Sequence, residues 1–515
     1  MKVEWKKSRY GWQTDSNSSS GSHSRMRGLC QQELGLIKYA QTGGNWRLGT
    51  IVRLKGPRYV DEQMVGKCVQ KLQQRHQALR ITVHIPSDGS RPFMKEDCDY
   101  KVPITSFDKG SDPIAIWNEH GAESFVSGQG ALRVFLIHDE EPAVTHLIIA
   151  LDHFFCDGMS HAAFIHEFVS FLTESTSFTK DMQDQLFLTP GIQELTHQTL
   201  DPSLPGLVFH FLKTLLTCLR FSGGPIFPVD NATLSEYDIS FECQMQWDKT
   251  VLSKEETLLL LKNCRAQGTT LSGAICAGAA DAFAAVLQRH HGTKDPVYIN
   301  TVVTADTRRF YKPAVPKNVL TFHAAAINPI PIRSSGNGNS NEMWMDACYI
   351  KRCFEEGIRC NFVLWMVYIS YFFQNLGQHM FSMQPRAILS NWGQSPVKEE
   401  YENGWEVTAL TPILEFTQYR IPLMTVISHG GKLVLHTGGP VPALCSKSLS
   451  LYHSQLVSNL KKLCTSALPD TTAVPRETGG LAQVVWVLAA CFCLLSVLLS
   501  KSFIFSFFLN ERAYL

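Results

Sequence analysis

The apolar positions along this chain change period several times. Val60, Met64, Val65, Cys68, Val69 and Leu72 follow the three-to-four spacing of an amphipathic helix. Just beyond, Leu79, Ile81, Val83 and Ile85 alternate with Arg80, Thr82 and His84, the period of a strand with one buried face. Residues 132–137 and 144–151 are two further apolar runs, split by the acidic turn "DEEP". From 159 to 172 the helical spacing returns, with Phe164, Ile165, Phe168, Phe171 and Leu172 on one side. The first part of the chain is therefore expected to be mixed α/β.

A turn-rich stretch, "LTPGIQELTHQTLDPSLPG", interrupts the pattern, and the apolar run "LVFHFLKTLLTCLRF" (207–221) follows it. A similar run, "FVLWMVYISYFFQNL", covers 362–376. Both are expected to be buried rather than to touch a membrane. In "TTLSGAICAGAADAFAAVLQRHH" a threonine cap precedes a helix of small residues that allow close packing. "PVYINTVVTADTRRF" reads as a strand ending in polar residues, and "LMTVISHGGKLVLHTGG" as a strand pair around glycines. The expected organisation is a disordered leader (1–25), an N-terminal domain (26–188), a linker (189–230), a C-terminal domain (231–468), a second linker (469–480) and an apolar segment (481–509).

That last segment begins "LAQVVWVLAACFCLLSVLL", without a charge from Leu481 to Leu499, and as a helix it is long enough to cross a bilayer core. Its reading is a single-pass C-terminal anchor, with the rest of the chain facing the cytosol, for instance at the endoplasmic reticulum. A buried core helix or an amphipathic hairpin is the competing reading.

Length favours two domains, since 515 residues exceed one ordinary core. The 47 Lys plus Arg against 46 Asp plus Glu give no basis for a nucleic-acid partner. The 15 cysteines form no zinc or disulfide pattern and are expected to be reduced, small, buried residues. No glycine-rich phosphate loop is present.

Chemistry gathers in "LIIALDHFFCDGMSHAAFIHEF". A buried strand is expected to end near Leu151, turn through Asp152 to Gly158, and enter a helix near Met159. A polar turn at the carboxyl end of a strand is a favoured place for a site. His153 can take a proton from an alcohol, thiol or amine. An acid this close to an apolar strand needs a cation or backbone donors, so Asp157 must have a partner. The plain reading is a buried histidine with Asp157 capping the next helix. A metal set of His153, Asp157 and His161 requires an unbroken helix that Gly158 opposes. His161 and His166 are expected on the exposed side of that helix.

Four pieces in order, "QRHQALRITV", "LDHFFCDGMS", "TADTRRF" and "LSNWGQSP", give a resemblance. The chain resembles the condensation-domain and chloramphenicol acetyltransferase-like acyltransferases with their HxxxDG signature, and most of all their alcohol-acetyltransferase and polyketide-associated branch. The resemblance implies two related mixed-sheet α/β domains with an active-site tunnel between them. It implies His153 as general base, Asp157 paired to Arg308 as support, and Gly158 leaving room for a thioester. Asn391, Trp392 and Gly393 would shape the tunnel. It further implies acyl-CoA as co-substrate, no tightly bound cofactor or metal, a lipophilic hydroxyl (or amine) acceptor, and a monomer. Two departures stand out. Asp152 precedes His153 where many members double the histidine, and Asn391 stands where BAHD enzymes have Asp or Phe-Gly. A non-catalytic lipid- or partner-binding protein of the same fold is the alternative.

Overall fold

The computed structural model describes residues 13–14, 25–29, 33–37, 47–121, 123, 125–174, 184–200, 206, 210, 227–230, 243–326, 330–367, 386–415, 417 and 421–466. Among the described residues, three β-sheets carry the architecture. The six-stranded sheet runs in the order Glu400–Tyr401, Trp405–Leu414, Arg47–Lys55, Val144–Asp152, Leu132–His138, Ile104–Phe107. The period of two in 144–151 is hidden because Val144–Asp152 is a central strand, buried along nearly its whole length. Helices Glu62–Arg75 and Gly158–Leu172 cover one face, where Leu72, Phe164 and Phe168 meet Val52, Ile149 and Leu151. Asp61 caps the first helix by accepting from Met64 N.

The seven-stranded sheet orders Gln244–Leu252, Lys432–Val441, Leu423–His429, Arg386–Gln394, Val297–Asp306 and Ala324–Ala326, with Ile330–Ser334 also pairing to Val297–Asp306. Alternation gives it two apolar faces. Met424, Val426, Leu433 and Leu435 pack on the helices Leu271–His291 and Ser446–Thr465. Leu423, Ile427 and Val434 join the core of the first half. Thr270 caps Leu271–His291 through Gly273 N, as its sequence implies. A smaller sheet joins Gln13–Thr14, Arg25–Gly28, Phe93–Glu96, Ile81–His84 and Gln129–Gly130. Gln13–Thr14 and Arg25 are thus paired strand within the stretch expected to be a disordered leader.

Trp405–Leu414 belongs to the second half in sequence and to the first half's sheet in space. It pairs antiparallel with Arg47–Lys55 from Glu406–Lys55 to Leu414–Leu48.

Among the described residues, Leu271–His291 is long and apolar enough to cross a membrane, and most of it is buried. Small side chains let Ser446–Thr465 approach it closely at Gly278. Residues 207–209 and 211–221, the linker at 469–480 and the apolar segment 481–509 lie outside the described residues. Of the run at 362–376, Phe362 to Val367 are described and buried.

Candidate active site

Strand Val144–Asp152 ends at the turn that carries His153, and helix Gly158–Leu172 starts five residues later. The ring of His153 is partly accessible and meets Phe322 edge-on, with centroids 5.1 Å apart. Its Nδ1 lies 2.7 Å from the carbonyl oxygen of Cys156. A carbonyl only accepts, so Nδ1 carries the hydrogen and Nε2 the lone pair. Burial lowers the histidine's pKa, against the opposing pull of the Cys156 carbonyl and the Asp157 charge. The neutral ring is the form present near pH 7.

Asp157 is 2% exposed and spends both oxygens on structure. Oδ1 accepts from Met159 N at 3.1 Å and Ser160 N at 3.0 Å, capping the helix. Oδ2 accepts from Arg308 Nη1 at 2.6 Å and from His323 N at 2.8 Å. Arg308 is 1% exposed and also donates to Asp306 Oδ1 at 3.2 Å and the Thr321 carbonyl at 2.7 Å. Burial alone would raise the carboxyl's pKa, but Arg308 and these donors outweigh it and hold it below the ordinary value. Arg308 is held above its own, because Asp157 and Asp306 outweigh its burial. The plain reading of Asp157 as a cap and the resemblance's reading of it as an arginine partner are both present, one on each oxygen.

Solved structures share this arrangement of sheets. A trichothecene 15-O-acetyltransferase from Fusarium sporotrichioides superposes with a TM-score of 0.65 at 12% identity, over 88% of this chain and 98% of that one. Polyketide synthase associated protein 5 from Mycobacterium tuberculosis gives 0.62 at 14%, over 85% and 98%. The condensation domain of the monacolin K polyketide synthase gives 0.59 at 12%, over 88% and 99%. The chain has the fold that these acetyltransferase and condensation-domain structures share. No protein-family profile matches the sequence, and a search of curated proteins returns no match.

Gly158 lies against the C-terminal sheet. A Cβ there would come within 2.5 Å of Trp392 Cδ1 and 2.6 Å of its Nε1. The indole packs the C-terminal sheet against the histidine loop, and only a glycine fits beneath it. Trp392 is buried, donates from Nε1 to Ser390 Oγ at 3.0 Å, and meets His161 edge-on at 5.5 Å. Asn391 points away from this contact. Its Nδ2 donates to Ser272 Oγ at 2.9 Å, and its Oδ1 accepts from Gly393 N at 2.8 Å. Gly393 sits at φ +73°, where a side chain would be strained. Of the three residues expected around the tunnel, Trp392 reaches the histidine loop directly.

His161 is wholly buried rather than exposed, with Nε2 2.9 Å from Thr50 Oγ1, and burial holds its pKa at about 3. His166 is half-buried, with Nδ1 3.2 Å from the Tyr401 hydroxyl. His153, Asp157 and His161 share no face, because Asp157 precedes the helix as its cap and His161 turns to Thr50.

Two features escaped sequence reasoning. Phe322 and the backbone of Thr321 and His323 complete the site from a loop without periodicity. Asp152, next to His153, forms a buried pair with Arg47, whose Nε lies 3.0 Å from Oδ1. The unusual acid before the histidine was the signal for that pair.

Proposed function

We propose that the chain transfers an acyl group from acyl-CoA to a hydroxyl of a lipophilic acceptor, with His153 as general base. The carrying observation is the ring of His153: partly accessible, neutral, and fixed by the Cys156 carbonyl so that Nε2 holds the lone pair. Nε2 takes the hydroxyl proton as the acceptor oxygen attacks the thioester carbonyl. The tetrahedral intermediate collapses by breaking the C–S bond, and the proton passes from His153 to the departing thiolate. No acyl-enzyme is needed, since holding both substrates together supplies much of the rate. Asp157 and Arg308 position the loop and take no proton. The fold and the 15-O-acetyltransferase among its neighbours support this reading.

The test is thiol release from acyl-CoA with a panel of alcohols and amines. Wild type should turn over and His153→Ala should lose about 100-fold or more. A wild type that binds lipid but transfers nothing would instead favour the non-catalytic reading. Chelator-sensitive turnover would contradict a metal-free base mechanism.

Membrane attachment through residues 481–509, with the catalytic part facing the cytosol, belongs to the same proposal. It rests on the uncharged run from Leu481 to Leu499. Release of the full chain from membranes by carbonate would overturn it.

A further inference from the structure

The inner face of the seven-stranded sheet carries a row of polar side chains that the histidine site does not use. Lys249 is paired with His436, His436 with Thr425, and Thr425 with Ser390, on four neighbouring strands. Side chains in register share a face, and this is the face turned to the first half, as Leu423, Ile427 and Val434 are. At the usual strand spacing the row is roughly 14 Å long.

The middle of the row is buried and under-satisfied. Thr425 is fully buried, and its Oγ1 has no hydrogen-bond partner among the described residues. His436 is 1% exposed, and neither ring nitrogen has one. Trp247, two positions before Lys249 on the same face, has its Nε1 in the same state. Orphaned buried polar atoms destabilise a fold, and native proteins keep few of them. Here four lie together.

The ends of the row have direction. Lys249 is exposed at one end and donates across to Thr411 Oγ1 of the six-stranded sheet. At the other end Ser390 Oγ accepts from Trp392, whose indole covers Gly158 in the histidine loop. The row therefore leads from solvent toward His153. Burial, then the nearby Lys249 charge, holds His436 at about 3, so its ring is neutral. Hydroxyls, a neutral imidazole and an indole N–H suit uncharged oxygens. Ile388, Leu423, Ile427, Val434 and Trp392 around them are apolar.

We propose that this row is a binding track for an otherwise apolar ligand bearing hydroxyl or carbonyl oxygens along its length, with its reacting end toward His153. The proposal rests on the acyltransferase reading and narrows its substrate. The oxygens can belong to the acceptor alcohol or to the amide-bearing arm of the acyl donor, and kinetics separates the two.

Thr425→Val and His436→Leu delete the orphaned atoms with little change in volume, in the full chain. If the acceptor lies on the track, each should raise the acceptor KM about 5- to 10-fold, with kcat and the acyl-CoA KM unchanged. If the donor lies there, the acyl-CoA KM rises instead. Either way the unliganded Tm should hold or rise, because a destabilising group has gone. A raised Tm with both KM values unchanged would overturn the track. Trp247→Phe, which removes the indole N–H, replaces His436→Leu should that chain not fold.

If wild type transfers no acyl group, the acyltransferase reading fails by itself and the track is judged by thermal shift. A steroid diol should raise the Tm of wild type more than its hydrocarbon parent does. The Thr425→Val, His436→Leu chain should lose that difference. Equal shifts for diol and hydrocarbon, or for wild type and variant, would overturn the proposal.

Discussion

At the scale of single residues, charge and burial set the pH behaviour. Burial lowers the pKa of His153, so the proton-bound, inactive ring forms only at acidic pH. Activity should be flat near neutrality and fall as pH drops through a midpoint below about 6.5. A kcat/KM profile with its midpoint above that value would contradict the assignment. Asp157→Asn keeps a helix cap but leaves Arg308 buried without its main counter-charge. It should cost about 3–5 kcal/mol of stability, read from denaturant midpoints. Glu415 behaves oppositely. Burial raises it to about 8, with Arg47 and Trp117 pulling back. A raised carboxyl pKa contributes stability that is full below 4.5 and lost as pH rises toward 8. Glu415→Gln removes that dependence. Its stability relative to wild type should grow by about 1.4 kcal/mol per pH unit across this window and stay level below it. Thermal melts at several pH values would check the slope.

At the scale of elements, the contact between loop and sheet is tight. Gly158→Ala would push a methyl into the Trp392 indole and should cost about 1–3 kcal/mol. Combining it with Trp392→Ala should cost less than the sum of the two changes, which a double-mutant cycle of melts would show. Much of this unit was legible. The switch from an apolar run to helical spacing placed the strand end, the turn and the helix start within a residue or two. The requirement that a buried acid find a cation pointed to a partner for Asp157, and the "TADTRRF" motif supplied Arg308. Other parts were hidden for physical reasons. Asn391 and Trp392 point to opposite faces by ordinary strand alternation, but the mixed polar sequence "LSNWGQSP" does not announce a strand. His161 was misread because its helix is packed on two sides, where Thr50 satisfies a polar ring that otherwise belongs in solvent. Phe322 lies in a segment with no period to read.

At the scale of the whole molecule, the strand Trp405–Leu414 ties the halves together. Its own alternation fits either sheet, so the sequence could not assign it. Residues 25–200 expressed alone should be insoluble, and co-expression with residues 227–466 should recover soluble protein, as fractionation of lysates would show. The unpaired edge of Arg47–Lys55 is the reason. The same edge bears on how the chain is made. Arg53 bonds to Thr408 across 355 residues. At ordinary ribosome speeds, that gap keeps the edge waiting for its partner for roughly 20–70 s. Throughout that interval the nascent first half lacks one strand of its sheet and presents an open edge to wrong partners.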